Sequence, residues 1–544
     1  VNFMSNPDEE TAIRQFGTED KYFGVAILMI TLPGLPMFAH GQIEGYTEKY
    51  GMEYKRAYYN EFPNEHLVAR HEREIFPLMQ RRYLFSQVYN FWFFDFYDDF
   101  GNLNENVYAF TNMEGNQRAL VLYNNKYDST SGKIFNSTPK LDDNKNSVTK
   151  TLAEALNINT DYKVFYIFKE QISGLQFIKS GPDIAHNGFY AELNGFRYNI
   201  YLDFEEVYDE TGEYLEITQR LQNGGHSDIK RAVKELRLAP VHNKFAEVFQ
   251  DKVLELITDY FILLDDPAEE FLEIEFINHK FAGFINSVKN HFNLNADVNK
   301  LTSDFEDKLK TVGKLNSILS NKNVFERDVR YRDLYDSMRL SPKSNYRENE
   351  IIFLIWLLIR KLNKMFESSE HLNENIVEEL VLDSPVRNIL KRLGKSEHDI
   401  NRDILLLNIL NRYDEKFFDL DKEVDEKNKE NFSEYLKMKS KEILEFFEDP
   451  AIKTYLGINR YEGVTYYSKE NFEDLINWLF TLITVTKNKA IENDEDIEKI
   501  LRLYYLLFYY VKFYSDNSEY KLEKLQDKLR NEDEKIAEVK KTSK

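Results

Sequence analysis

A Pro-Gly turn, a short apolar segment and a polar cluster follow one another in residues 32 to 45: Leu32-Pro33-Gly34-Leu35-Pro36-Met37-Phe38-Ala39-His40-Gly41-Gln42-Ile43-Glu44-Gly45. Residues 35–39 predict a buried strand, because they are apolar, few and bounded by turn residues. The polar residues 40–44 would then lie at the carboxyl end of that strand. Parallel α/β barrels bind their ligands at this end of their strands.

Strand-like and helix-like segments alternate before this stretch. Residues 1–4 are apolar and predict a strand, and residues 20–31 predict a helix that leads into the Pro-Gly turn. Between them, Asn6, a proline and three acidic residues predict the start of another helix, which Gly17 closes. The strand–helix–strand order is typical of parallel α/β folds, and Asp8 follows the first strand as the polar cluster follows the second.

The middle of the chain is predicted to be mainly β. Residues 68–83 still predict a charged helix with one apolar face, but short strand-like segments then dominate until about residue 240. Gly115 and Asn116 predict a hairpin turn. Alternation in residues 190–203 could begin a second lobe of this antiparallel β-domain. The clearest strands are predicted at residues 107–111, 119–124 and 164–168.

The last part of the chain is predicted to be helical. After Pro240, apolar residues recur at helical spacing and predict about ten helices. The Tyr-rich residues 504–510 predict a buried helix rather than a ligand site. Clear helical periodicity occurs in residues 245–264, 351–366, 472–485 and 497–514.

The composition excludes several classes of function. The 544 residues are enough for several domains, and 42% hydrophobic with 15% aromatic residues supply packed cores. The formal net charge of -22 repels phosphate backbones and anionic lipids, so neither nucleic acid nor a membrane is expected as a partner. The chain has no cysteine, which excludes disulfides and cysteine nucleophiles. No signal peptide or membrane span is recognisable, which favours a cytoplasmic location.

Two motifs resemble the end of the catalytic barrel of the α-amylase family, glycoside hydrolase family 13. Residues 3–8, Phe3-Met4-Ser5-Asn6-Pro7-Asp8, are similar to the fourth conserved region of that family, an apolar strand that ends in Asn-His-Asp. Pro7 stands at the position of the histidine. Residues 32–45 are similar to the eighth strand of the barrel and the loop that follows it, and the order and separation of the two motifs also fit the family.

The resemblance implies a multidomain fold with three parts. Residues 1–82 would form the distal part of a (β/α)8 barrel, with its last strands and helices. Residues 83–240 would form the mainly antiparallel β-domain behind the barrel, and residues 241–544 a large all-α helical extension. The chain would thus be the C-terminal portion of a large bacterial α-amylase-like protein, with the missing N-terminal barrel segment as its natural partner.

The resemblance also implies a chemistry. The full-length parent would hydrolyse or transfer α-1,4-linked glucan units with retention, and Asp8 would stabilise the oxocarbenium-like transition state. Asn6, His40, Gln42 and Glu44 would bind the α-glucan or oligosaccharide. The family's nucleophile and general acid would precede Val1, so the isolated chain is predicted to be inactive. No metal site or cofactor is predicted here, although the parent could carry a structural calcium ion.

Each of these residue assignments has a purely structural alternative. Asp8 could cap a helix, and the polar residues 40–44 could be ordinary loop residues that hydrogen-bond to the backbone. His66 and His71, with the nearby Glu72 and Glu74, suggest a metal site, but a spacing of five residues puts the two imidazoles on different helix faces. A solvated helix face is the favoured interpretation. The aromatic residues 91–97 predict core packing rather than a sugar-stacking platform.

Two other functions compete with a hydrolase portion. The first is a non-catalytic protein, derived from the same family, that binds glucan or mediates assembly through its helices. The second is an unrelated helical scaffold in which both motifs are accidental. Fold alone does not decide among the three.

Overall fold

The computed structural model of the chain describes residues 1–49, 56–142, 144–262, 267–320, 322–326, 346–366, 376–413, 440–487, 496–501 and 514–530. The chain divides into two compact units, Val1–Arg237 and Leu238–Lys544. The first unit contains an eight-stranded sheet with helices, and the described part of the second is mainly helical. The chain is therefore multidomain.

The first unit begins with two short parallel strands. Strand β1 is Asn2–Phe3 and strand β2 is Pro36–Met37, and Asn2 pairs with Pro36. Helices α1, Ala12–Phe16, and α2, Asp20–Thr31, lie between them in the sequence. The predicted bounds of α2 are confirmed. Helix α2 ends just before the turn of Pro33 and Gly34, as expected.

The predicted helix start at Asn6 is wrong. Helix α1 begins only at Ala12, with Thr11 as its N-cap, and ends before Gly17 as predicted. The side chain of Asn6 instead accepts hydrogen bonds from the backbone N–H groups of Asp8 at 2.9 Å and Glu9 at 3.0 Å. An asparagine that binds the backbone two and three residues ahead builds a local turn, and this competes with helix formation.

Two side chains hold the turn between α2 and β2. Asn2 donates from Nδ2 to the carbonyl oxygens of Leu32 at 3.3 Å and Pro33 at 3.1 Å. Arg82 donates to the carbonyl oxygens of Ile30 and Leu32, both at 2.9 Å. The last carbonyl groups of a helix have no partner within the helix, so these donors satisfy them and fix where β2 begins.

The helix predicted at residues 68–83 is four short pieces. Helix α3, Glu65–Arg70, continues into a π-helical turn, His71–Ile75, and then into α4, Phe76–Gln80, and α5, Arg82–Phe85. The π-helical turn lies beside Pro77. Because proline has no backbone N–H, regular α-helical hydrogen bonding is interrupted there.

The predicted antiparallel β-region forms one curled sheet of eight strands, in the order β10-β9-β12-β5-β4-β3-β6-β11. All seven pairings are antiparallel. The predicted hairpin is confirmed, since Glu114 pairs with Gln117 across Gly115. The strands of the sheet are β3 Trp92–Asp98, β4 Val107–Glu114, β5 Gln117–Asn124, β6 Thr130–Ser137, β9 Val164–Glu170, β10 Gln176–Ser180, β11 Phe189–Leu193 and β12 Tyr198–Tyr208. A small separate pair consists of β7, Lys140–Leu141, and β8, Ser147–Val148.

Both faces of the sheet are buried against apolar side chains. On β5, Leu120 and Leu122 join one core and Val121 and Tyr123 join the other, which also contains the apolar side of α2. A strand buried on both faces is continuously apolar, as residues 119–123 are. Trp92, Phe94 and Phe96 are buried in the first core, so the core interpretation of the aromatic run is confirmed. The remaining helices of the unit are α6 Leu152–Ala155, α7 Gly181–Asn187, α8 Glu213–Leu221 and α9 Ile229–Arg237.

The second unit is mainly helical in its described residues. The predicted helices at residues 351–366 and 472–485 are confirmed, whereas the one at 245–264 is divided in two. Residues 504–510, and most of 497–514, lie outside the described residues. The named helices are Ala239–Glu247, Asp251–Ile262, Pro267–His291, Val298–Ser320, Lys322–Glu326, Tyr346–Phe366, Ile376–Glu379, Asp383–Arg392, Glu397–Tyr413, Pro450–Tyr455, Lys469–Lys487 and Leu522–Arg530.

The expectation of an all-α second unit is wrong in one place. Strands Asn459–Tyr461 and Val464–Tyr466 form an antiparallel hairpin. The two residues between them, Glu462 and Gly463, both have positive φ, 47° and 83°. Two such residues in a row make the tight turn that matches the twist of a hairpin.

Among the residues that the structure describes, none of the helices combines the length and the apolar character needed to cross a bilayer. The cytoplasmic location stays a prediction.

The packing of α2 on the sheet predicts the effect of a glycine substitution. A Cβ atom at Gly24 would overlap the ring of buried Tyr123, so Gly24→Ala should lower the free energy of unfolding by about 1–3 kcal/mol. The matched control is Gly283→Ala in helix Pro267–His291, where a Cβ atom meets no atom within 4 Å. That substitution should raise stability by about 0.5–1 kcal/mol. Denaturant unfolding of both variants checks this, and a stabilising Gly24→Ala would contradict it.

Candidate functional site

The two motifs meet at one edge of the first unit. Because β1 and β2 are parallel neighbours, the residues that follow them lie side by side. Asn6 and Asp8 follow β1, and residues 39–44 follow β2. A direct contact joins the two segments, since Nε2 of Gln42 lies 3.3 Å from the sulfur of Met4. We call residues 4–8 and 39–44 the strand-end site.

Asp8 and His40 are the exposed polar side chains of the strand-end site. The backbone carbonyl of Asp8 accepts a hydrogen bond from Nζ of Lys49 at 2.8 Å, which ties this turn to the segment after the site. The ring of His40 lies 6.1 Å from that of Tyr46. An exposed carboxylate and an exposed imidazole at the end of parallel strands can accept and donate hydrogen bonds to the hydroxyl groups of a ligand.

Gln42 and Glu44 lie deeper and support the loop. The side chain of Gln42 is 3% exposed, and its Oε1 accepts from the backbone N–H of Ala39 at 3.2 Å. Glu44 is half-buried, and its carbonyl oxygen accepts from the backbone N–H of Asn64 at 2.9 Å. The structure therefore places Asp8 and His40 toward solvent and gives Gln42 internal partners. The predicted sugar-binding roles of all five residues stay predictions.

A buried polar network lies beneath the site, and the sequence did not predict it. Arg70 donates from Nε to Oε1 of Glu74 at 3.0 Å and from Nη2 to Oδ1 of Asp20 at 2.6 Å. The hydroxyl of Tyr198 donates to Oε2 of Glu74 and accepts from Nη2 of Arg70 at 3.1 Å. Arg73 completes the set with a 2.6 Å ion pair to Glu74. Burial and the hydrogen bond to Glu74 raise the pKa of Tyr198, so it stays a donor.

The solvated-face interpretation of residues 66–74 is therefore wrong for two of its four members. His71 is fully buried and Glu74 is 3% exposed, whereas His66 and Glu72 are exposed as expected. Residues 65–85 form several short helical pieces, and one side of these pieces packs against α2 in the core. His71 and Glu74 lie on that side. The i, i+4 pair Arg70 and Glu74 was the available signal, because a charged residue becomes buried only with its partner.

His71 connects this network to the strand-end site. Its Nδ1 lies 2.9 Å from the carbonyl oxygen of Leu67 and therefore carries the proton of the neutral ring. Its Nε2 lies 3.3 Å from the hydroxyl of Tyr22, which donates to the carbonyl oxygen of Gln42 at 2.8 Å. Burial lowers the pKa of His71 and raises that of Tyr22, so both rings stay neutral near pH 7.

The described residues contain no group of three or more His, Asp or Glu side chains placed to hold a metal ion. Comparison with models of known protein families and with curated protein sequences finds no match.

The buried imidazole predicts a pH dependence of stability. Native His71 stays neutral while the imidazole of the unfolded chain takes up a proton, with an ordinary pKa of about 6.5. The unfolded state then binds more protons, so the free energy of unfolding falls below about pH 6.5, by up to about 1.4 kcal/mol per pH unit from this group. The charged or titratable groups around the ring are Tyr22, Glu44, Arg70 and Glu74.

Denaturant unfolding between about pH 5 and pH 7.5 measures this slope. His71→Gln should reduce the slope, because the substituted side chain does not titrate. His66→Gln removes an exposed imidazole five residues earlier and should keep the wild-type slope. Identical slopes in all three proteins would show that His71 does not contribute.

Proposed function

We propose that this chain is the distal, C-terminal portion of an α-glucan-active glycoside hydrolase of the α-amylase type, with Asp8 at its sugar site. The observation that supports the proposal most directly is the parallel pairing of β1 with β2. In the barrel that the two motifs resemble, the strands that carry them are neighbours, and their carboxyl ends face the substrate. Here Asp8 and the loop of residues 39–44 lie at such an edge.

Asp8 is the residue proposed to act on the sugar. Its exposed side chain follows the strand end, and Asn6 fixes the turn through the backbone N–H of Asp8. A carboxylate held there binds sugar hydroxyl groups, and its negative charge stabilises the positive charge that develops on the sugar ring in the transition state. His40, exposed after β2, supplies a second hydrogen-bonding group.

Gln42 and Glu44 are proposed to position the site rather than to touch the sugar. The side chain of Gln42 contacts Met4 and accepts a hydrogen bond from Ala39 within the loop. The carbonyl oxygen of Gln42 accepts a hydrogen bond from Tyr22. Loss of these contacts would let the loop move against β1. This role differs from the prediction made from the motif, in which Gln42 and Glu44 bind the sugar.

The proposed reaction belongs to the full-length protein. A retaining glycosidase needs a nucleophilic carboxylate and a carboxylic acid about 5–5.5 Å apart. In the family that the motifs resemble, both come from barrel strands that precede these motifs, and we assign neither role to a residue of this chain. The chain by itself is therefore proposed to bind α-glucan without turnover.

Calorimetric titration of the full chain with a linear maltooligosaccharide tests the proposal. Asp8→Asn removes a charged hydrogen-bonding partner worth about 1.5–3 kcal/mol, so the affinity should fall at least about tenfold. Glu9→Gln is the matched control, since it neutralises the adjacent exposed carboxylate and should bind as the wild type does. Equal affinities of Asp8→Asn and wild type, or no binding by the wild type, would contradict the proposed site.

A further inference from the structure

A polar pocket of about 270 Å³ lies within the second unit. Four helices and one helix-connecting loop build it. Its polar lining residues are Lys395, Asp399, Arg402, Asp403, Tyr455 and Asp474.

A buried carboxylate anchors one wall of the pocket. Asp474 is 5% exposed, and its Oδ2 accepts hydrogen bonds from the hydroxyl of Tyr455 at 2.8 Å and from Nη2 of Arg402 at 3.1 Å. Burial and the charge of Asp474 raise the pKa of Tyr455, so this hydroxyl stays a donor. The arrangement holds the guanidinium of Arg402 in one orientation along the wall.

The second cation of the pocket is paired in the same way. Nζ of Lys395 forms an ion pair with Oδ2 of Asp403. Asp399, at the exposed side, accepts from the hydroxyl of Ser396 at 2.6 Å. The pocket therefore contains two cations and three carboxylates, and each cation already has a carboxylate partner.

Because the cations and carboxylates of the pocket form ion pairs with one another, the pocket favours a neutral ligand over a charged one. An anion would meet three carboxylates, and its binding would compete with the ion pairs of Arg402 and Lys395. A cation would compete with Lys395 for Asp403 and with Arg402 for Asp474. A neutral molecule with several hydroxyl groups avoids both costs, because each hydroxyl can donate to a carboxylate and accept from the guanidinium. The guanidinium has five N–H donors, and its Nη2 serves Asp474 and Tyr455.

The size of the pocket and the polarity of its lining narrow the class of ligand further. Sites for drug-sized ligands have volumes of about 300–1,000 Å³, so this pocket suits a smaller molecule. Trp478 and Tyr455 line the pocket but are only 7% and 3% exposed, so the surface offered to a ligand is mainly polar. A mainly polar surface with both donors and acceptors suits the hydroxyl groups of a small polyol.

We infer that this pocket binds a small neutral polyhydroxylated molecule of about one hexose unit. The pocket does not include Asp8. It lies in the second unit, to which the proposed hydrolase role assigns no function. It adds a small-molecule site to the helical part of the chain.

Titration of the full chain with D-glucose, followed by saturation-transfer NMR, tests this inference. The titration uses the Asp8→Asn chain as well as the wild type, so that sugar bound at the strand-end site is recognised separately. Glucose should bind to both. Arg402→Gln and Asp399→Asn should each weaken this binding roughly tenfold, because each removes a charged hydrogen-bonding group. Arg387→Gln is the matched control. It changes an arginine outside the pocket, which forms a 2.8 Å ion pair with Glu397, and this variant should bind glucose as tightly as the chain without the substitution.

Arg402 contacts a buried carboxylate, and its loss could unfold the unit. The exposed Asp399 therefore provides the second, independent variant. Absence of glucose binding at millimolar concentration, or binding that neither variant weakens, would overturn the inference. It would also be overturned if inorganic phosphate or L-glutamate displaced glucose at equal concentration, since the pocket would then prefer a charged ligand.

Discussion

The first unit depends on one buried carboxylate. Glu74 lies in the core, where an unpaired charge would cost several kcal/mol. It is compensated by Arg70 on the preceding turn and by Tyr198 on β12. Arg70 also binds Asp20 at the start of α2. These pairings join α2, the helical segment of residues 65–85 and the sheet. Tyr22, which packs edge-on against the ring of His71, donates a hydrogen bond to the loop after β2.

Only part of the local structure was predictable from the sequence, and the network was not. The buried strand predicted at residues 35–39 is wrong, because the strand is only Pro36–Met37 and Leu35 and Met37 are exposed. Helix α2 has the predicted bounds because its apolar pattern ends at a Pro-Gly turn. The β4–β5 hairpin was recognisable from Gly115 and its apolar flanks. Both signals are local. The contact of Glu74 with Tyr198 spans 124 residues, and neither residue marks the other in the sequence. The helix start predicted at Asn6 failed because its side chain serves a turn instead.

The candidate site shows the same division between local and distant information. The motifs placed Asp8 and residues 39–44 after two strands, and the parallel pairing of β1 with β2 brings them to one edge. The motifs could not show which polar side chains face solvent, because that depends on Tyr22 and Met4, which bind Gln42 from other elements. In the second unit, Arg402 and Asp474 are 72 residues apart. No local pattern predicted their pocket, which appears only when the helices pack.

We propose that the edge formed by β1 and β2 is an α-glucan site. A crystal structure of the full chain with a linear maltooligosaccharide tests it most directly. We expect a glucose unit whose hydroxyl groups bind the carboxylate of Asp8, with His40 beside it and with Gln42 still bound to Met4 and Ala39. An oligosaccharide bound elsewhere on the chain, with this edge empty, would contradict the claim.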